Sequence, residues 1–595
     1  SLEARQLLAA QVFGIDQDGD TWSLRLVGPG DVHVFYQDGT PATATASGQI
    51  DSIVVSGTDS LTSRLVGRVA RGSINGTPGD GRVFFQRFLE TDGRALPALD
   101  PTQRVGVLTP GNGIQAVDIP NFWLGHTSTT APAGANGMAT EAAGSIQIPD
   151  GVITLRFGGV DSTFTPPGGM ALNANTQGDQ FVVDLGLPFT QGTSVIADRF
   201  VSSAQAAQGT TGSPTQDRIT VSVTGRLNLF QANAIQGTTN PADLIPSQFD
   251  VDAATAAPGG TIVISQGSPA ASVTGQIGDV RIGGNATNFT VVAVESALSN
   301  PGADENAKVS NFSVGGETEN VLLVAPGGSR NIFFGKGMDQ VLINSNFISH
   351  LQANRGALNS NVTVNRKIDQ VILGGDVVNT NVQSGYAQFL SQIANAAIQG
   401  TAPPTIANRQ LGVRNTFNPL AQNGGNMTVR IAGDVVDSVF SASVEPNPGL
   451  QPLPGTTDQG DPGVFGDRDA TGRLVDVIFP AGTIHAQVEG NIDNTNNPLV
   501  DPEAAGQAFF ANEVRVQAGP VVPPNVPEAP YPRDGIAPNA PRVVRHLQPQ
   551  RLQDLDQVVV QSKGRSKAPA ATTPGARATS HPRPPRAPGS SRRGG

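Results

Sequence analysis

DQVLINSNFISHLQA at 339–353 and DQVILGGDVVNTNVQS at 369–384 begin alike, 30 residues apart (369 − 339). TVRIAGDVVDSVFSAS at 428–443 is a third copy, and GDVRIGGNATNFTVVA from Gly278 and DVIFPAGTIHAQV from Asp476 are looser ones. Each joins a short apolar run, often a Gly, and an alternation through small Asn, Asp, Ser and Thr. The alternation sends Val341 and Ile343 to one side of a strand and their neighbours to the other. Val, Ile and Phe favour pleated backbone. Gly between two runs suits a sharp corner, because it tolerates positive φ. One such unit cannot bury its apolar side alone, whereas stacked units share a continuous core. The fold class is therefore all-β: a parallel β-solenoid, or β-helix, with long loop insertions, one short helix and a disordered C-terminal tail. Antiparallel sandwiches also show short strands and Gly-rich turns. Here, however, the copies recur without tight hairpin turns between them. Stacking of this kind puts Val341 and Val371 in matching inward places on neighbouring coils.

Composition agrees with a repeat body. The chain has 595 residues, 38% of them hydrophobic and only 15% charged, with 71 Gly and 45 Pro. That is too apolar for disorder over most of the length and too rich in turn residues for long helices. Aromatics at 5% supply little stacking surface for sugars or bases. No cysteine is present, which excludes disulfides and thiolate zinc sites. No run of roughly 18 apolar residues exists to cross a bilayer as a helix. Net charge is −11, but residues 541–595 carry 11 Lys/Arg against two Asp, leaving −20 (−11 − 9) on the rest. An acidic body with a basic tail is not the pattern of a nucleic-acid binder.

Four regions follow. Residues 1–46 form an N-terminal export-motif segment and a β-hairpin cap, with Trp22, Leu24 and Leu26 turning through Gly28, Pro29 and Gly30 to Val32, Val34 and Tyr36. Residues 47–308 form an irregular solenoid region with insertions. There SGQIDSIVVSG at 47–57 already resembles the repeat, and FFQRFL at 84–89 marks a cap or a buried edge. Residues 309–519 form the regular solenoid. Residues 520–595 form a Pro-rich, basic, disordered tail. Within the third region, 385–400 reads as an amphipathic helix with Tyr386, Phe389, Leu390, Ile393 and Ile398 on one side. Two long loops, 401–426 and 445–472, interrupt the late repeats.

At the N-terminus, LEARQLLAA resembles the motif of planctomycete extracellular and cell-surface proteins, L-E-x-R-x-L-L followed by a small residue. Leu2, Glu3, Arg5, Leu7, Leu8 and Ala9 match it over about ten residues, while the Arg-rich lead of the family pattern is missing. The resemblance implies a secreted or surface location and no activity.

Candidate chemistry is sparse. Asp16, Asp18 and Asp20 alternate around Gly19, and Asp467, Asp469 and Thr471 alternate before Gly472. Such turns offer the oxygens that calcium wants at about 2.3–2.6 Å. Thr471 stands where a calcium loop has its third Asp, and Ile478 stands at its twelfth position. Solvated Asp/Gly turns have the same look. Repeat-borne Asp369, Asp376, Asp434 and Asp437 are the acids a β-helix glycosidase or lyase would use, although turn chemistry accounts for their recurrence. The six His are scattered, so no triad or metal motif forms. Asn344, Asn346, Asn359, Asn361 and Asn365 suit stacked amide ladders. Arg583, Arg586, Arg592 and Arg593 could dock on anionic envelope polymers. The reading is a secreted or surface-displayed structural or adhesive solenoid with no catalysis expected. Cell-envelope polymers or other surface proteins are its candidate partners, and calcium is its only candidate cofactor. A carbohydrate-active β-helix enzyme is the alternative.

Overall fold

The structure, a computed structural model, describes residues 10–91 (75 apart), 113–125, 144–164, 180–186, 192–237 (203 and 206–214 apart), 260–266, 275–294, 307–385, 425–445, 466, 477–478, 482–518 (498–499, 501–503 and 505–506 apart) and 542–544. The chain divides into two units, 1–549 and 550–595, and every described residue lies in the first. The helix expected at 385–400, most of both late loops and most of the basic tail lie outside the described residues; within that tail, Arg542–Val544 is a strand that pairs with Glu513–Arg515, where the sequence predicts disorder.

Nine strands open the fold: β1 (Ala10–Ile15), β2 (Thr21–Val27), β3 (Asp31–Tyr36), β4 (Ile50–Ser56), β5 (Arg64–Ala70), β6 (Ser73–Ile74), β7 (Thr77–Pro78), β8 (Val83–Thr91) and β9 (Ile114–Gly125). Beyond β4, apart from short side hairpins such as β6–β7, the onward pairings are parallel and pass over the strands in between, β4 to β8 and β5 to β9. That skip is the mark of a coil that returns to the same place once per turn. Two long sheets result. Sheet one continues from β9 through Val152–Asp161, Thr193–Ser202, Arg226–Gly237 and onward to Glu513–Ala518 and Arg542–Val544. Sheet two continues from β8 through Gly144–Ile148, Gln180–Leu185, Arg218–Thr224 and onward to Phe509–Ala511. A narrower third row joins Met338, Ala357, Val377, Val435 and Ile492. The chain is thus a parallel β-solenoid, as its repeats predict.

The coil is about 20 residues long, not 30: Val309 pairs with Ser329 (329 − 309 = 20) and Ile348 with Ile368 (368 − 348 = 20). Consequently Val341 and Val371 do not share a register. Val341 stacks on Val321 in sheet two, whereas Val371 lies between Leu351 and Val429 in sheet one. An offset of one and a half coils sends look-alike words to different sides of the solenoid. Both valines still point inward and are buried. The copies at 369 and 428 do stack, Gln370 on Thr428 and Val377 on Val435.

One buried apolar cluster runs the length of the stack, with Trp22 near its start and Val514 near its end. A file of Phe rings climbs inside it: Phe157, Phe200, Phe230, Phe289, Phe312 and Phe334, with successive centroids 5.3 to 6.2 Å apart. At roughly 25 cal/mol per Å2 of apolar surface removed from water, this core dominates stability.

Two N-terminal expectations are corrected. β2 and β3 do not form a hairpin. β2 lies between β1 and β5, and β3 pairs with β4, all antiparallel. Gly28 and Gly30, at φ 100° and 110°, instead carry the chain from one sheet to the other. FFQRFL is neither cap nor edge. It lies in β8, held between β4 and Gly144–Ile148, with Phe84, Phe85 and Phe88 buried. Burial on both sides of the strand explains its density of apolar residues. The cap is the antiparallel β1–β3 segment before it.

Candidate functional site

Three aspartates meet in the cap. Asp16, Asp18 and Asp20 bring their carboxylate oxygens within 4.8 Å of one another, among the described residues the one group of three or more metal-ligating side chains so gathered. The turn from β1 to β2 places them: the Asp16 amide donates to the Asp20 carbonyl (2.9 Å), and Gly19 adopts φ 95°. The β6–β7 hairpin supplies the other half. Asp20 accepts the amides of Gly72 (2.8 Å) and Gly81 (2.5 Å), Asp18 accepts that of Asp80 (3.1 Å), and Asp16 accepts that of Asp20 (2.8 Å). The sequence points to the first three acids but not to this partner. The signal for it is GTPGDGR at 76–82, a second Gly/Asp turn that arrives 60 residues later.

The electrostatics follow from crowding. Burial, together with the carboxylate of Asp18 beside it, pushes the Asp16 carboxyl up to about 9. Hydrogen bonds from Asp16 and from backbone amides hold Asp18 below the usual range despite its burial. Burial, with Asp18 nearby, raises Asp80. A proton on Asp16 thus relieves the repulsion in the protein alone. A hard cation would do the same, with Asp16, Asp18 and Asp20 as its ligands, but it would share oxygens that already accept amides. Asp467, Asp469 and Thr471 lie outside the described residues.

The repeat aspartates do not converge. Asp376 and Asp434 stack on one corner, where each accepts the amide of the next coil: Asp376 from Asp434 (2.9 Å) and Asp434 from Asn491 (2.7 Å). Asp437 occupies a different corner at φ 47°, and Asp369 pairs with Lys367 (2.8 Å). Turn chemistry accounts for Asp376, Asp434 and Asp437, whereas Asp369 lies within the strand Ile368–Leu373.

The amide ladder exists, but through other residues than most of those expected. Asn288, Asn320, Gln340, Asn359, Asn379 and Asp437 stand in register on successive coils, all at φ between 47° and 53°. Asn320 donates its side-chain amide to Asn288, and Asn379 donates to Asn359 (3.2 Å). Asn and Asp tolerate this left-handed conformation best among residues with a side chain. Just inside, buried Ser360, Thr380 and Ser438 place their hydroxyls under the amides of Val341, Ser360 and Thr380 (3.1, 3.4 and 3.0 Å). Of the five asparagines singled out from sequence, Asn359 alone belongs to this ladder. Asn344 is buried on the outward side of sheet two with neither side-chain polar atom hydrogen-bonded among the described residues. Asn361 accepts the Thr363 hydroxyl (3.0 Å).

The outward side of sheet one is a polar strip. Asp279, Asn311, Asn331, His350, Gln370 and Thr428 follow one another in register. Asn311 donates to Asp279 (2.7 Å), Asn331 to Asn311 (2.8 Å), and His350 Nδ1 meets Gln370 Oε1 (3.0 Å). Charges on the coils pair locally, as in Arg281 with Asp279, Arg515 with Glu513 and Lys336 with Glu317. No described helix is long and apolar enough to cross a membrane. The chain matches no known family description, no curated protein and no solved structure.

Proposed function

We propose that this chain is a secreted or surface-displayed structural or adhesive solenoid, whose partners are cell-envelope polymers or other surface proteins. The observation that carries the reading is the polar strip of sheet one. Its side chains bond along the stack, coil to coil, and its charges pair with near neighbours instead of converging on one point. A hydrolase or lyase of this kind needs at least two acids or bases placed about one scissile bond. Asp376 and Asp434 share a corner, where each carboxylate is committed to the amide of the next coil, while Asp437 lies on another corner and Asp369 within a strand beside Lys367. The N-terminal LEARQLL resemblance supports export.

The test has two arms. Incubating the full chain with a panel of acidic and neutral polysaccharides should release no reducing or unsaturated ends, while pull-down on envelope fractions should retain it in a salt-sensitive manner. Release that disappears in an Asp434→Asn, Asp376→Asn double variant would establish the carbohydrate-active alternative. Failure of the chain to reach the cell exterior in its source cells would overturn the location.

A further inference from the structure

We propose that two copies of this chain pair through β1, antiparallel across a two-fold axis, so that sheet one runs unbroken from one copy into the other. The inference does not rest on the function proposed above. It comes from how differently the two sheets begin.

Sheet two begins at β3, and its outer side is closed by the chain itself. The Tyr36 amide donates to the Thr40 carbonyl (2.9 Å), the Ala42 amide to the Val34 carbonyl (2.8 Å), and Pro41, which has no N–H to offer, bridges Phe35. Covering an edge and placing Pro on it are two of the ways proteins stop strands from pairing further.

Sheet one begins at β1, and there covering reaches only the last residue, where Ile15 bridges Ser47 in parallel, and no Pro lies on the edge. AQVFGI contains no charge and no Pro. Among the described residues, its outer side is met at the Ile15 carbonyl alone, by the Gly48 amide (3.1 Å) and the Tyr36 hydroxyl (3.4 Å). Because Ile15 turns that carbonyl away from β2, alternation along an antiparallel strand turns the amides and carbonyls of Phe13 and Gln11 outward too. Phe13 is 47% exposed, and Val27, on the same side of the sheet, is 41% exposed.

A second copy fits this edge. The strand is neutral, so self-pairing brings no like charges into register. With Val12 opposite Val12 of the other copy, each Gln11 faces the other's Phe13. Those are the residues whose backbone groups point outward, and they would form about four ladder hydrogen bonds. The two Phe13 rings then lie on one diagonal, within reach of each other. β1 to β2 to β5 is already antiparallel, so the added strand continues the local pattern. The interface is self-complementary and closes at two copies.

Sedimentation velocity on the full chain over a range of concentrations should show a dimer. Phe13→Pro removes an outward amide but no β1–β2 ladder bond, and should yield a monomer with the same circular dichroism. Phe13→Lys, which keeps the amide, should weaken the dimer at least tenfold. Leu61→Ser, at an exposed site off β1, should leave it intact. The chain has no cysteine, so Val12→Cys should give a disulfide-linked dimer under mild oxidation, since facing residues of this kind lie about 4.5 Å apart at Cα. A wild type that stays monomeric overturns the proposal. So does association that survives both Phe13 variants, an uncrosslinked Val12→Cys chain, or growth into open-ended filaments.

Discussion

Asn379 donates its side-chain amide to the side-chain carbonyl of Asn359 on the preceding coil, 3.2 Å away, and both residues hold φ at 48°. One residue type thus meets two demands, a left-handed corner and a link between coils. Asn379→Gly keeps the corner and loses the link, whereas Asn379→Ala loses both. Denaturant unfolding should rank them accordingly, with Gly costing roughly 0.5–1 kcal/mol and Ala about 1–2 kcal/mol more. Equal losses for the two would remove the corner from the explanation. Gln340 is the ladder's exception, longer by a methylene and with a buried Oε1 that lacks a partner among the described residues. Gln340→Asn should be neutral or stabilise by up to about 1 kcal/mol.

How far the sequence speaks depends on which neighbour a residue answers to. The apolar runs in NVLLVA and QVILGG mark strands, and strands stand there, although both sides of NVLLVA are buried, Val321 and Leu323 in the main core and Leu322 and Val324 in a second cluster. Coil length is a relation between strands, and DQV misleads about it. In 339–341 those three letters straddle a corner, with Gln340 left-handed at φ 51°, while in 369–371 they lie within one strand. The same limit hides the cap. Nothing near Asp16 announces that Gly72 and Gly81 will close on Asp20. The corner glycines carry a similar lesson. Positive φ is expected of them, yet Gly315, Gly335 and Gly374 do not adopt it. Asn and Asp take the left-handed corner, and these glycines serve close approach instead.

Gly374 makes that approach testable. A Cβ there would land on the carbonyl oxygen of Asn354 in the preceding coil, and one on Gly335 would sit 2.6 Å from the Gly315 carbonyl oxygen. Backbone on both sides cannot swing away as a side chain could. Gly374→Ala should therefore cost about 2–4 kcal/mol or prevent folding. Gly39, with nothing within 4 Å of an added Cβ, should lose only the roughly 1–2 kcal/mol of its φ of 81° on change to Ala. Thermal unfolding of the two variants side by side separates crowding from conformational strain.

Acid should favour this fold at Glu90. The side chain is fully buried, and burial, with the Asp150 carboxylate nearby, pushes its carboxyl up from 4.5 to about 7. A raised carboxyl binds its proton more tightly folded than unfolded. Its contribution is therefore complete below pH 4.5 and is lost as pH climbs from there to about 7. The upper size of that loss is about 3 kcal/mol. Unfolding free energy measured across this window should fall with pH, and Glu90→Gln should flatten the slope. A slope unchanged in Glu90→Gln would assign it to other groups.

The aspartate knot separates a charge that holds loops from one that is only tolerated. Asp20 has no exposed surface and accepts the amides of Gly72 and Gly81, which belong to a hairpin more than 50 residues away in the chain (72 − 20 = 52). Asp20→Ala takes the acceptor from both part-buried donors, and should cost about 1–3 kcal/mol. Asp16 keeps its proton up to about pH 9 in the folded chain but sheds it above 3.8 when unfolded, so folding at neutral pH must take up a proton, and Asp16→Asn, a neutral shape mimic, should stabilise there by up to about 4 kcal/mol, a gain that fades as pH falls towards about 4. Calcium gives the sharper contrast. A cation bound by Asp16, Asp18 and Asp20 must displace that proton, so its affinity should rise with pH, and Asp16→Asn should abolish any calcium-dependent rise in the unfolding midpoint. A midpoint that ignores calcium in the unaltered chain at pH 9 would leave the knot as a purely structural clasp between the two hairpins.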